Sequence, residues 1–194
     1  MLLNKYFEIL RFYLGDYTRE IYGRELLDKI ALSQKNIALT LKDLENSTIL
    51  KSRITGNIKY YRLNLANLRI KDILLLVEIT NKISFLEDYL KIANVFEKND
   101  DRIIGIFGSY AKSRPKRYSD IDVFIIGNKK NSDYDEIGKY FDLNISIKYF
   151  SEKDFRRLLK EKNNLLIEIV KNHIILYNAE KFIKLVWECY HGFN

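Results

Sequence analysis

Gly105-Ile106-Phe107-Gly108-Ser109-Tyr110-Ala111, followed by Ser119-Asp120-Ile121-Asp122-Val123-Phe124-Ile125-Ile126, is the stretch on which the reading of this chain turns. The first part reads as a short apolar strand that stops in a Gly-Ser turn and starts a helix. The second reads as a strand carrying two carboxylates one residue apart. Side chains alternate along a strand, so Asp120 and Asp122 project to one side and Ile121, Val123 and Ile125 to the other. Two carboxylates held side by side repel, and burial worsens the repulsion. A hard divalent cation removes it, and Mg²⁺ suits ligation by one or two carboxylates plus substrate phosphates. Gly108 lets the backbone approach phosphates closely, and the Ser109 hydroxyl is a donor. The helix start adds unpaired N–H groups and the positive end of its dipole.

A Gly-Ser turn, residues 110–119, then an apolar-flanked Asp-x-Asp resembles the signature of the nucleotidyltransferase fold of the DNA polymerase beta superfamily. Within it the pattern is most similar to the minimal nucleotidyltransferases, over roughly residues 100 to 177. The resemblance implies a mixed sheet flanked by helices and transfer of a nucleoside monophosphate from a Mg²⁺-bound NTP to a hydroxyl acceptor. Asp120 and Asp122 would be catalytic and hold two Mg²⁺ ions, with Gly108 and Ser109 on the β- and γ-phosphates. It also implies a third carboxylate from the following strand. That strand's polar face reads Asn144, Ser146 and Lys148, with Lys148 where the acid is expected. Asp142, at the strand's beginning, has the right parity and is retained as a catalytic candidate. Lys112 and Arg114, with Lys116 and Arg117, lie between the turn and the aspartates. They read as nucleotide-binding cations, or equally as a basic loop.

The segment before this domain has a different pattern. Residues 2–14 place Leu3, Tyr6, Phe7, Leu10, Tyr13 and Leu14 at helical spacing, and residues 20–30 read as a second helix. Ser33 is placed to cap a third helix, Gln34 to Leu44, with Ile37, Leu41 and Leu44 inward and Gln34, Lys35, Asn36, Ala38, Thr40 and Lys42 on other faces. Residues 49–54 and 58–63 alternate around Thr55-Gly56-Asn57, a β-hairpin. Three helices and a hairpin resemble a winged helix-turn-helix over residues 1–65. Such a domain sets its last helix in the major groove of duplex DNA and lays the hairpin along the backbone. Lys51, Arg53, Lys59 and Arg62, with no acid between residues 48 and 63, suit phosphates. Gln34, Lys35, Asn36 and Thr40 lie on the reading helix. A protein-interaction module is the alternative.

Residues 66–98 read as a helical linker, able to pair with its own copy in a homodimer or to pack within the chain. The polar run 97–101 marks a boundary, so the expected domains are 1–65, 66–98, 99–177 and a C-terminal helix over 178–194. The fold class expected is a two-domain α+β or α/β chain. Lys and Arg number 33 against 26 Asp and Glu, a net charge of +7, which favours a polyanionic partner. Cys189 is the single cysteine, which excludes a disulfide framework, and His173 and His191 lack ligand spacing. No run reaches the roughly 18 apolar residues of a membrane span, and no secretory signal opens the chain, so the expected location is cytoplasmic. Two readings compete with the enzyme. One is a DNA-binding transcriptional regulator whose nucleotidyltransferase domain is inactive or senses nucleotide. The other is an antitoxin paired with a small helical toxin.

Overall fold

The computed structural model describes residues 5–97, 100–116, 119–128 and 133–191. It divides into two compact units, Met1–Thr80 and Asn81–Asn194. The first contains α1 (Lys5–Leu10), a 3₁₀ turn over Arg11–Tyr13, β1 (Ile21–Tyr22), α2 (Gly23–Leu26), α3 (Gln34–Asn46), β2 (Leu50–Thr55) and β3 (Ile58–Leu63). Its antiparallel sheet has the order β1-β3-β2. α3 starts where expected because the Ser33 side chain accepts from the Asn36 N–H. Ile37, Leu41 and Leu44 are buried, as are Leu50, Leu63 and the β1 residue Ile21. The hairpin closes with Thr55 opposite Ile58, so the turn residues are Gly56 and Asn57, with Gly56 at φ 58°. Tyr13 is wholly buried, and its hydroxyl donates to the Tyr61 carbonyl at 2.9 Å, fastening the 3₁₀ turn to β3.

Three expectations for this unit need correcting. The helix expected over residues 20–30 begins as β1, because Ile21 and Tyr22 pair with Tyr61 and Tyr60 of β3. That pairing crosses some forty residues of sequence, and local spacing carries no trace of it. The helix expected over 2–14 is α1 and a 3₁₀ turn, residues 2–4 lying outside the described ones. Thr40 does not stand on an open face. It is fully buried, and its hydroxyl donates to the Asn36 carbonyl one turn earlier at 2.7 Å.

α4 (Ile70–Asp88) runs across the division between the units, and α5 (Leu90–Val95) follows after a break at Tyr89. The second unit then builds β4 (Ile103–Phe107), α6 (Gly108–Ala111), β5 (Ile121–Ile126), α7 (Tyr134–Tyr140), β6 (Ile145–Phe150), α8 (Glu152–Lys160), α9 (Asn164–Lys171), β7 (Ile174–Tyr177) and α10 (Ala179–His191). Its four-stranded sheet has the order β6-β5-β4-β7, with β5 and β6 parallel and the other pairs antiparallel. One sheet face, with Ile104, Ile106, Ile121, Val123 and Ile125, packs on Phe85, Ile92, Val95, Phe96 and Tyr134. The other packs through Phe124, whose ring lies 5.9 Å from Phe182, itself 6.3 Å from Phe155. All three rings are fully buried, each removal from water stabilising by roughly 1.5–3 kcal/mol. Gly105 is in mid-strand for a packing reason: a Cβ there would overlap the Phe124 ring.

The polar run 97–101 leads directly into β4, and within it residues 98 and 99 lie outside the described ones. Asp100 accepts from the Arg102 backbone N–H and Nε, both at 2.9 Å, and from the Tyr134 hydroxyl at 3.0 Å. Asn178 donates to the carbonyls of Asp100 and Arg102. These bonds tie the residues just before β4 to the residue just after β7. His173 is buried, its Nδ1 lying 2.8 Å from the Val170 carbonyl and its ring edge-on to Phe182, a structural role. His191 ends α10 and its side chain is outside the described residues.

Candidate functional site

The site lies where β4 and β5 meet α6. Asp122 is cross-strand partner to Phe107, the last residue of β4. Gly108 follows at φ 72°, a conformation that favours glycine. A Cβ on Gly108 would overlap Oδ2 of Asp122, so the carboxylate rests directly against the Gly-Ser turn. Two independent features, the backbone angle and the carboxylate, therefore disfavour a side chain at 108. α6 is only one turn long. The Lys112 and Ser113 N–H groups donate to the Gly108 and Tyr110 carbonyls, and Ser113 turns left-handed at φ 54°. Tyr110 anchors this turn edge-on to Tyr89 at 5.4 Å.

Asp120 immediately precedes β5 and is exposed, whereas Asp122 is half-buried. Burial pushes the Asp122 carboxyl above the ordinary carboxylate range, the Asp120 charge pushes it further, and Lys148 pulls it back. Asp120 thus bears on Asp122 across one intervening residue. Neighbouring carboxylates, one of them disfavoured as an anion, are donors that a hard cation could use. Among the described residues no group of three or more His, Cys, Asp or Glu is positioned to hold a metal by itself.

The parallel β5–β6 register sets Ser146 beside Asp122 and Lys148 beside Phe124, on the same sheet face. Ser146 is therefore the residue directly opposite Asp122, and Lys148 stands two register positions further along. Asp142 is exposed, in the turn between α7 and β6 at φ 58°, its N–H donating to the Lys139 carbonyl. A left-handed residue ends the two-residue alternation, so a parity argument counted back along β6 does not reach Asp142.

Ser109 is half-buried, and its carbonyl accepts from the Arg114 N–H at 2.9 Å, folding the basic loop back on the turn. Lys112 pairs with Glu168 of α9 at 2.5 Å, a partner that sequence reasoning missed because it is distant in the chain. Arg114 is exposed. Lys116 and Ser119 close the loop: Ser119 Oγ accepts from the Lys116 N–H at 2.8 Å, which fixes the chain just before Asp120. Arg117 lies outside the described residues.

In the first unit the residues expected to contact DNA divide between two surfaces. Gln34, Lys35 and Asn36 are exposed on α3. Lys59 points toward α3 and pairs with Glu45 at 2.7 Å. Lys51, Arg53 and Arg62 stand on the opposite face of the sheet, and Arg53 binds Glu20 through Nε and Nη2, at 2.7 and 2.5 Å. Two of the four hairpin cations are therefore neutralised by acids outside the hairpin.

Residues 90–182 match the protein family described as polymerase beta, nucleotidyltransferase. The match spans β4 to β7 and supports a nucleotidyltransferase domain in the second unit, and the mixed sheet with helices on both faces fits that fold. No curated protein and no solved structure matches the chain. Among the described residues no helix is long and apolar enough to cross a membrane.

Proposed function

We propose that the second unit transfers a nucleoside monophosphate from an NTP to a hydroxyl acceptor. The observation that carries this is the Asp122 carboxylate seated against the left-handed Gly108, with Asp120 beside it and the family match around both. In this reading Asp120 and Asp122 hold Mg²⁺. Bound there, the ion would lower the charge on the α-phosphate and the pKa of the acceptor hydroxyl. Gly108 leaves the backbone open to the triphosphate, and Ser109 donates to one of its oxygens. A bond forms between the acceptor oxygen and the α-phosphorus as the bond to the bridging oxygen breaks, pyrophosphate leaves, and the hydroxyl proton passes to solvent. Holding the reactants in line supplies most of the acceleration.

The first unit is read as a winged helix over residues 1–65. Its support is the order of α1, β1, α2, α3 and the β2–β3 hairpin, with β1 on the hairpin's inner strand. The second reading is a DNA-binding regulator whose nucleotidyltransferase domain binds nucleotide without transferring it. Ser146 opposite Asp122 and the nearby Lys148 favour it, because neither supplies a further acid. One assay separates the readings. With α-³²P-labelled NTPs and Mg²⁺, the enzyme labels an acceptor, and the double variant Asp120→Asn, Asp122→Asn loses at least about a hundredfold in rate. Nucleotide binding without transfer favours the regulator. Transfer that survives the double variant rules out the aspartate site.

A further inference from the structure

The first unit's sheet has an outer face with a chemistry of its own. Glu45 of α3 accepts from Ser52 and Lys59, which fixes the inner face, and the alternate residues Lys51, Arg53, Tyr60 and Arg62 stand outward. Register arranges them in rows: Lys51 opposite Arg62, then Arg53 opposite Tyr60, with Tyr22 of β1 opposite Tyr60 in turn. Like charges directly opposed on antiparallel strands destabilise the pair, and an anion between them reverses the sign. The Arg53 guanidinium stands over the Tyr60 ring at 5.0 Å, and Tyr22 meets that ring edge-on at 5.7 Å. Glu20 faces this surface as well, but Arg53 engages both of its oxygens. Beside Lys51 and Arg62 opens a cleft of about 220 Å³, lined also by Tyr17, Thr18 and Asn64.

We propose that this outer face binds single-stranded nucleic acid, with Lys51 and Arg62 on the backbone and Tyr60, Tyr22 and the Arg53 plane stacking on unpaired bases. Cations in a row beside aromatic faces are what an unpaired strand requires, since every base has a π-face to stack. A duplex hides those faces. Its reader here would be α3, which lies on the far side of the sheet from Lys51 and Arg62. The proposal rests on the first unit alone and stands or falls independently of nucleotidyl transfer.

Fluorescence anisotropy of the full chain with labelled oligo-U, oligo-dT and a mixed-sequence duplex tests it. Single strands are expected to bind at least about tenfold more tightly than the duplex. The salt slope is expected at about −1.4, two phosphates at about −0.7 each. Comparison of oligo-U with oligo-dT tells RNA from DNA. Lys51→Ala with Arg62→Ala is expected to weaken binding about tenfold or more. Tyr60→Leu should cost about as much by losing a stacked base, while Tyr60→Phe retains affinity. Circular dichroism melting verifies that each variant is folded. Duplex binding as tight as single-strand binding, full affinity in the folded Lys51, Arg62 double variant, or no binding of either strand at low salt overturns the proposal.

Discussion

Asp122 and Asp100 are two carboxylates that the fold treats in opposite ways. Burial and Asp120 hold the Asp122 carboxyl above its unfolded value, so between the two values the folded chain binds the extra proton. Stability therefore falls as pH rises through that window, and above it the Asp122 charge is destabilising. Asp122→Asn is predicted to raise Tm by about 2–4 °C at neutral pH without divalent ion, while Mg²⁺ raises Tm of the native chain only. Calorimetry checks both, and a lower Tm for the variant would place Asp122 in a stabilising contact instead. Asp100 is held down at about 2, first by its hydrogen bond from Arg102. Its contribution is complete above the unfolded carboxylate value and disappears as pH falls toward 2. The place of Asp122 in a strand was legible in sequence because a two-residue alternation needs only β5 itself, whereas Asp120 stands just before that strand. Asp100 was not legible, because its partners Arg102 and Tyr134 become neighbours only through the sheet and α7. Thr40 was misread because one buried hydroxyl satisfied by its own helix looks polar in any sequence pattern.

At the level of elements, local chemistry predicted what local chemistry builds. Ser33 capping α3 and the Gly56-Asn57 turn both depend on residues within a few positions. β1 depends on Tyr60 and Tyr61, far along the chain, and its two residues inside a helical-looking run gave no periodicity to detect. Gly105 belongs to the same class of hidden cause. Its place in β4 is set by the Phe124 ring across the β4–β5 ladder. Gly105→Ala is predicted to destabilise by about 2–3 kcal/mol through overpacking, measured by urea unfolding. An unchanged midpoint would mean that Phe124 has another low-energy place to go.

For the molecule as a whole, the net charge of +7 was legible but its distribution was not. Lys59 and Arg53 are answered by Glu45 and Glu20, and Lys112 by Glu168, while Lys51 and Arg62 sit together on one face. The unit division at Thr80/Asn81 falls inside α4, where a continuous helical pattern gives no composition signal. The two proposed sites lie one in each unit, so their ligands should report separately. Hydrogen exchange on the full chain is predicted to slow in β4, α6 and β5 with Mg-NTP, and in β2 and β3 with a single-stranded oligonucleotide. Mg-NTP protection confined to residues 1–80 would contradict the assignment of the nucleotide site.

The central claim is that Asp120 and Asp122 grip a divalent ion across from the Gly108-Ser109 turn. Titration with Mn²⁺ in the presence of a non-hydrolysable NTP, followed by electron paramagnetic resonance, measures that grip directly. Saturable Mn²⁺ binding is expected, weakening at least about tenfold in Asp122→Asn and in Gly108→Ala, whose new Cβ displaces the carboxylate. Unaltered Mn²⁺ affinity in both folded variants would contradict it.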